Sequence, residues 1–223
     1  ADGQSIRGGR HADSRRLLVV SCGAIQPMAK WNFKDQFHDI DHADVGFVTG
    51  VIEALVAARV TDPQTIYATG HSSGGLFCYR LAKQTDLFAA LAPMSCGMAK
   101  GDHTPEEGTQ PVSIFQVIGD QDKSFHGSSN PKVTMYSADK RINIWRMFNQ
   151  CDAQPTINQP FEKLTLRTYV NAHDIEVVLC TVAGEGHHIR HDLRDKADRI
   201  ALDFLMNHRR NADHKQDKYN PNE

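Results

Sequence analysis

The stretch Ile66-Tyr67-Ala68-Thr69-Gly70-His71-Ser72-Ser73-Gly74-Gly75 constrains this chain more than any other. An apolar start runs into a glycine-flanked serine and then into a helix-like sequence. That is the strand, turn and helix order in which a G-x-S-x-G match carries weight. At such an elbow Gly70 and Gly74 let neighbouring backbone pack where a Cβ would clash, and the hydroxyl of the serine is pushed outward. Ser72 is therefore the candidate nucleophile. Glycine and serine clusters also make ordinary loops between strands and helices, so the assignment depends on partners elsewhere. A working serine needs a histidine to take its proton and a carboxylate to orient that histidine. On this kind of sheet they follow in the order serine, acid, histidine.

Both occur just past apolar runs that read as buried strands. Val112-Ser113-Ile114-Phe115-Gln116-Val117-Ile118 ends in Gly119-Asp120-Gln121-Asp122, and a loop there can present a carboxylate. Asp122 is the candidate acid, with Asp120 held in reserve. Ile175-Glu176-Val177-Val178-Leu179-Cys180-Thr181-Val182 ends in Ala183-Gly184-Glu185-Gly186-His187, which makes His187 the candidate base. Singly, a post-strand Asp is a turn former and a loop His a surface residue. Three in the required order, each just past a strand, are a stronger signal.

These residues carry a resemblance to the secreted esterases typified by polyhydroxybutyrate depolymerases, feruloyl esterases and the LpqC lipoproteins. The similar segments are Trp31-Asn32, Asp44-Val45-Gly46-Phe47, Ile66 to Arg80, Phe88 to Pro93, Gly119 to Asp122, Trp145 with Cys151, and Gly184 to His187. The resemblance implies an α/β-hydrolase fold over residues 16–207, with Ser72 as nucleophile, Asp122 (not Asp120) as acid and His187 as base. It implies hydrolysis of carboxylic esters of the hydroxyalkanoate, feruloyl or acetyl type, small or polymeric, without a cofactor. It also implies a secreted or periplasmic location.

The departures from that pattern matter too. One oxyanion-hole donor is expected from the residue after the nucleophile, the Ser73 N–H, and a second from a loop after an earlier strand. The similar family carries a His-Gly in that loop, and this chain has none upstream. Its one strand candidate before the elbow unit is Arg16-Leu17-Leu18-Val19-Val20-Ser21-Cys22. Either the chain begins partway into the domain, lacking the first strand or strands, or Cys22-Gly23-Ala24 supplies the missing donor. An uncovered sheet edge would follow from the first reading, and with it dimerisation through that edge.

Length and charge agree with one α/β domain. The chain has 223 residues, enough for one good core, and its strand and helix patterns alternate as in a mostly parallel sheet. A formal net charge of −2 gives no electrostatic case for nucleic acid, and no apolar run is long enough to span a membrane. Residues 1–15 read as a flexible segment and 208–223 as a disordered polar tail. Helical spacing marks Asp44–Arg59, with Val45, Val48, Ile52, Leu55 and Val56 on one face and Asp44 as N-cap, and also Ala138–Asn149 and Asp195–Met206. The polar connections 97–111 and 123–141 lie where such enzymes build a pocket, and Trp31, Met94 and Phe125 are candidate walls.

Five cysteines (22, 78, 96, 151 and 180) leave one unpaired if the others bridge, and Cys78 reads as a small buried hydrophobe. Cys151 matches a cysteine of the similar family, yet Tyr169-Val170-Asn171-Ala172 lacks its mate. His187, His188, His191 and Asp192 could suggest a metal, but the glycines before His187 argue against the helix that shared ligation would need, so none is expected. Two rival readings remain. An inactive hydrolase fold could serve in binding. Alternatively, Thr69 to Leu76 and Tyr136-Ser137-Ala138-Asp139-Lys140 imitate a short-chain dehydrogenase, although Leu76 stands where the last glycine of a nucleotide loop belongs.

Overall fold

The computed structural model describes residues 17–23, 31–32, 43–130 and 133–210. Within them the order is α1 (Ala43–Ala57), β1 (Tyr67–His71), α2 (Ser73–Gln84), β2 (Ala90–Met94), β3 (Ser113–Gly119), α3 (Lys123–His126), β4 (Ser128–Asn130), β5 (Val133–Met135), α4 (Ala138–Phe148), β6 (Thr156–Phe161), β7 (Leu164–Val170), β8 (Glu176–Val182) and α5 (His191–Asn207). Six strands form one sheet in the order β1-β2-β3-β8-β7-β6, and β4 pairs with β5 apart from it. The strands β1, β2, β3 and β8 run parallel, while β7 and β6 extend the sheet antiparallel.

The central strands read as near-continuous apolar runs because helices cover both faces. Their alternation sorts the core in two. Leu91, Ile114, Ile118, Val177 and Leu179 face Phe77 and Leu81 of α2 and Ile142, Trp145 and Phe148 of α4. Ala92, Met94, Phe115, Val117, Val178, Cys180 and Val182 face Leu193, Ala197, Ala201 and Phe204 of α5. From α1, Val45, Val48 and Ile52 pack onto the first cluster, as their spacing predicts. The result is an α/β/α sandwich of the α/β-hydrolase type.

Two expectations need correction. Residues 17–23 form no strand, and Leu18, Val19 and Val20 are about half exposed, at 56%, 48% and 47%. An apolar run meets the strand template, but a strand exists only where its N–H and C=O groups find a neighbour. Among the described residues β1 pairs on one side only, with β2. Nor is Asp44 an N-cap. It sits in the first turn of α1, buried, and its carboxylate accepts the Asn32 N–H at 2.7 Å. The hairpin β6–β7 has no counterpart in the sequence expectations. Residues 1–15, and 211–223 of the tail, lie outside the described residues, as do Arg16 and Ala24. No helix among the described residues is long and apolar enough to cross a membrane.

Candidate active site

Parallel strands in register end together, and three of these ends carry the site. His71 aligns with Met94, Met94 with Val117, and Gly119 with Val182. Ser72 follows β1, Asp122 lies three residues past β3, and His187 five past β8. All three therefore stand on one edge of the sheet, where ligands of open α/β folds bind.

The elbow explains the chemistry open to Ser72. Its backbone is held at φ 56° and ψ −115°, a costly conformation for a residue with a side chain. Ser72 N–H donates to the Met94 carbonyl at 2.9 Å, and Leu76 N–H donates to the Ser72 carbonyl at 3.1 Å, so the turn is clamped from both sides. A serine at a helix N-cap ordinarily turns its oxygen onto the helix's first N–H groups. Here it makes no such bond. The strained turn aims Oγ at Nε2 of His187 instead, 3.0 Å away. Gly70 is required because a Cβ there would lie 2.4 Å from the carbonyl carbon of Gly74.

Asp122 uses both carboxylate oxygens. Oδ1 accepts the Ser124 N–H at 2.8 Å and caps the short α3, while Oδ2 lies 2.8 Å from Nδ1 of His187. A carboxylate there only accepts, which puts the histidine's proton on Nδ1 and leaves the Nε2 lone pair facing the serine. Asp122 is buried, with 2% of its side chain exposed, whereas the imidazole of His187 is 39% exposed. The carboxylate is thus sheltered, and the imidazole is open to solvent.

The acid and base turns are also stitched together. Gln121 N–H donates to the Glu185 carbonyl at 2.9 Å, and Asp120 N–H to that of Val182 at 3.2 Å. Asp120, the reserve acid, accepts the Gly184 N–H at 2.8 Å and so holds the histidine turn from outside. Glu185 receives the Arg190 N–H at 2.9 Å and its Nε–H at 2.7 Å, tying the turn to the start of α5. The backbone hydrogen bond from Arg190 is the main cause holding the Glu185 carboxyl below its ordinary range, and Arg190's charge adds to it. Behind these loops, buried Gln116 accepts from the Tyr79 hydroxyl and from Arg141 Nε, the latter at 2.9 Å. Arg141 also donates to the Ser124 carbonyl, next to the acid, at 2.9 Å.

Other predicted residues fall differently. Met94 is fully buried under α5 and lends the elbow its carbonyl, so it is no pocket wall. Trp31 stacks on Phe77 at 4.5 Å, its indole nitrogen 4.0 Å from where a Gly74 Cβ would stand. Phe125 packs partly buried on the core beside α4. Cys22 and Gly23 have irregular backbone. Burial pushes all five thiols up, to about 11 for Cys96 and about 12 for Cys151 and Cys180, so none is a thiolate nucleophile near neutrality. All five are free. Among the described residues no three His, Cys, Asp or Glu side chains gather as metal ligands would. A concavity of about 570 Å³ lies at the opposite, N-terminal ends of the strands, lined in part by Phe88, Ser113, Glu176 and His208, and is far from this chemistry. His71, Asp120 and Glu185 all lie in the stretches that carry the motif residues, but their partners at the site are not marked by any local pattern.

Fold and elbow together are those of the α/β-hydrolase class. Residues 35–211 match the prolyl oligopeptidase family, and the chain belongs to that family. It is also 34% identical over 90 residues to the esterase-designated protein NocK of Nocardia uniformis subsp. tsuyamanensis, a designation that is itself provisional. That match takes in 39% of this chain and 26% of the relative, so the chain spans about a quarter of that protein's length.

Proposed function

We propose that the protein is a carboxylic ester hydrolase working through an acyl-enzyme on Ser72. The observation that carries this reading is the hydrogen-bonded run from Ser72 Oγ to His187 to Asp122, at 3.0 and 2.8 Å, on a serine denied its helix-capping role. In the first half-reaction Oγ attacks the ester carbonyl as its proton passes to Nε2 of His187. The C–O bond to the alcohol breaks, and His187 returns the proton to the departing oxygen. In the second half-reaction water loses a proton to His187 as it attacks the acyl carbon, the bond from that carbon to Ser72 Oγ breaks, and His187 returns the proton to Oγ as the acid departs. Asp122 keeps the imidazole in the right tautomer and stabilises its cation. Ser73, the first residue of α2, has no carbonyl one turn back within its helix, and its N–H is available to the oxyanion.

Esters of hydroxyalkanoates, or of feruloyl or acetyl type, remain the substrate classes that the residue-level resemblance supports, and the esterase designation of NocK favours esters. Peptide amides are the second reading, favoured by the prolyl oligopeptidase family match. Labelling the purified chain with a fluorophosphonate probe and locating the adduct by peptide mass spectrometry tests the machinery. Ser72 is the expected site, Ser72→Ala should remove the adduct, and Asp122→Asn should cost about 10⁴-fold in turnover. A folded chain that does not label would leave a hydrolase fold used only for binding. Nitrophenyl esters run beside peptide nitroanilides then separate esterase from peptidase.

A further inference from the structure

We propose that His71, the residue before the nucleophile, is a positioning residue that fixes the turn of the catalytic base onto the strand that carries the serine. Its Nε2 lies 3.1 Å from the main-chain carbonyl of His187. A carbonyl oxygen only accepts, so His71 carries a proton on Nε2 and donates it. Its ring also packs against both members of the following pair, 5.0 Å from the His187 ring and 5.6 Å from that of His188, nearly parallel to the latter. Burial is the main cause that depresses the His71 pKa; the hydrogen bond to the His187 carbonyl works against it, and the neighbouring Arg194 adds to the depression.

What makes this bond matter is the way the base turn is held. On one side it is stitched to the acid turn through Glu185, Gly184 and Val182. Towards the elbow, residues 183–188 have, among the described residues, two hydrogen bonds, that of His71 and the one between Ser72 Oγ and His187 Nε2. The second is consumed by the reaction, since an acylated Ser72 has no hydroxyl proton. While the acyl-enzyme waits for water, His71 is the hydrogen-bonded link left between the elbow and the turn whose imidazole must activate that water. The proposal rests on the serine hydrolase reading, and its effect should fall mainly on deacylation.

Two near-isosteric variants test it. Glutamine places an N–H₂ donor where the His71 Nε2 stands, whereas asparagine stops short of it. With a nitrophenyl ester, His71→Asn should lower kcat by up to about 10²-fold, the cost of a displacement of roughly 1 Å. KM should fall with it, and a burst of nitrophenol close to one equivalent should reveal the accumulating acyl-enzyme. His71→Gln should stay within a few-fold of the parent and show no new burst. Asparagine behaving like the parent, or glutamine as impaired as asparagine in a folded protein, overturns the proposal. Nitrogen NMR of His71 in the parent, expected to show the Nε2–H tautomer, tests the bond without turnover, and an Nδ1–H tautomer also overturns it. A parent that fails to label at Ser72 while showing Nε2–H would overturn the hydrolase reading and the catalytic role with it, yet leave the contact standing.

Discussion

The elbow at residues 70–75 and the two turns at 119–122 and 183–187 sit on the same edge of the sheet, but different forces hold them. The elbow is a steric device. Its serine is forced to a positive φ, and two of its glycines leave no room for a Cβ, Gly70 against the backbone of Gly74 and Gly75 against the side chain of Cys96, whereas a Cβ at Gly74, expected from the sequence to clash, would meet only the Trp31 indole nitrogen at 4.0 Å. The acid and base turns are mainly a hydrogen-bonded device, with main-chain donors and the carboxylates of Asp120, Asp122 and Glu185 doing the holding. A nucleophile must be rigid and exposed at once, which strain against packed backbone provides. An acid and a base must be oriented to each other, which directional bonds do better.

Glycine-to-alanine changes bear hardest on this contrast. A Cβ at Gly70 would stand 2.4 Å from the Gly74 carbonyl carbon, and one at Gly119 would stand 2.0 Å from the Glu185 carbonyl oxygen. Neither neighbour is a side chain that can swing away, so each variant should lose about 3 kcal/mol, the upper end for overpacking, together with its activity. Denaturant midpoints and fluorophosphonate labelling report both effects. Gly119 is where the turns borrow the elbow's method, since the acid and base loops touch there without room for a Cβ. A Gly119→Ala protein with parental stability would show that these loops can part.

Gly75→Ala should be gentler. Its Cβ would meet Cys96 Sγ at 2.7 Å, a side-chain atom, although the Gly70 carbonyl at 3.0 Å also resists. A cost of about 1–2 kcal/mol is expected, with part of it recovered when Cys96→Ala is added. Strict additivity of the two changes in a denaturation cycle would place the clash elsewhere.

In the hydrogen-bonded half, Asp120→Ala should cost about 1 kcal/mol by leaving the Gly184 N–H without its partner. Turnover should fall by about tenfold through the base, far less than for Asp122→Asn. Comparing kcat for the two variants measures this, and a larger loss from Asp120 would exchange their roles.

These differences explain what the chain disclosed before folding. The placement of Ser72, Asp122 and His187 was legible because each follows a parallel strand: β3 and β8 announce themselves by buried runs such as Val177 to Cys180, and the half-buried edge strand β1 by the glycine-flanked serine after it. The sheet's antiparallel extension was not legible. All of β6 is exposed, Pro160 interrupts it, and its place comes from pairing with β7. Leu17 to Cys22 failed the other way, with a strand's composition and no strand to pair with among the described residues. His71 was in plain sight, but its partner is a carbonyl 116 positions away, and no local pattern encodes that.

The smallest effect separates the two halves by pH. His71 has its pKa lowered, chiefly by burial, so the unfolded chain binds its proton at a higher pH than the folded one. Stability should therefore decline as pH falls through about 6.5, the ordinary imidazole value, and level off below the folded-state pKa. Glu185, in the turns, has a lowered carboxyl pKa, held down chiefly by the Arg190 N–H. Its contribution persists above about 4.3, the ordinary glutamate value, and is lost only below it. Urea denaturation of the parent and of His71→Gln at pH 7.5, 6.5 and 5.5 should show the gap between them changing in that upper window, with the parent losing ground. Glu185→Gln should track the parent there and diverge only near pH 4. Parallel curves for parent and His71→Gln would mean that folding leaves the pKa of the ring unchanged.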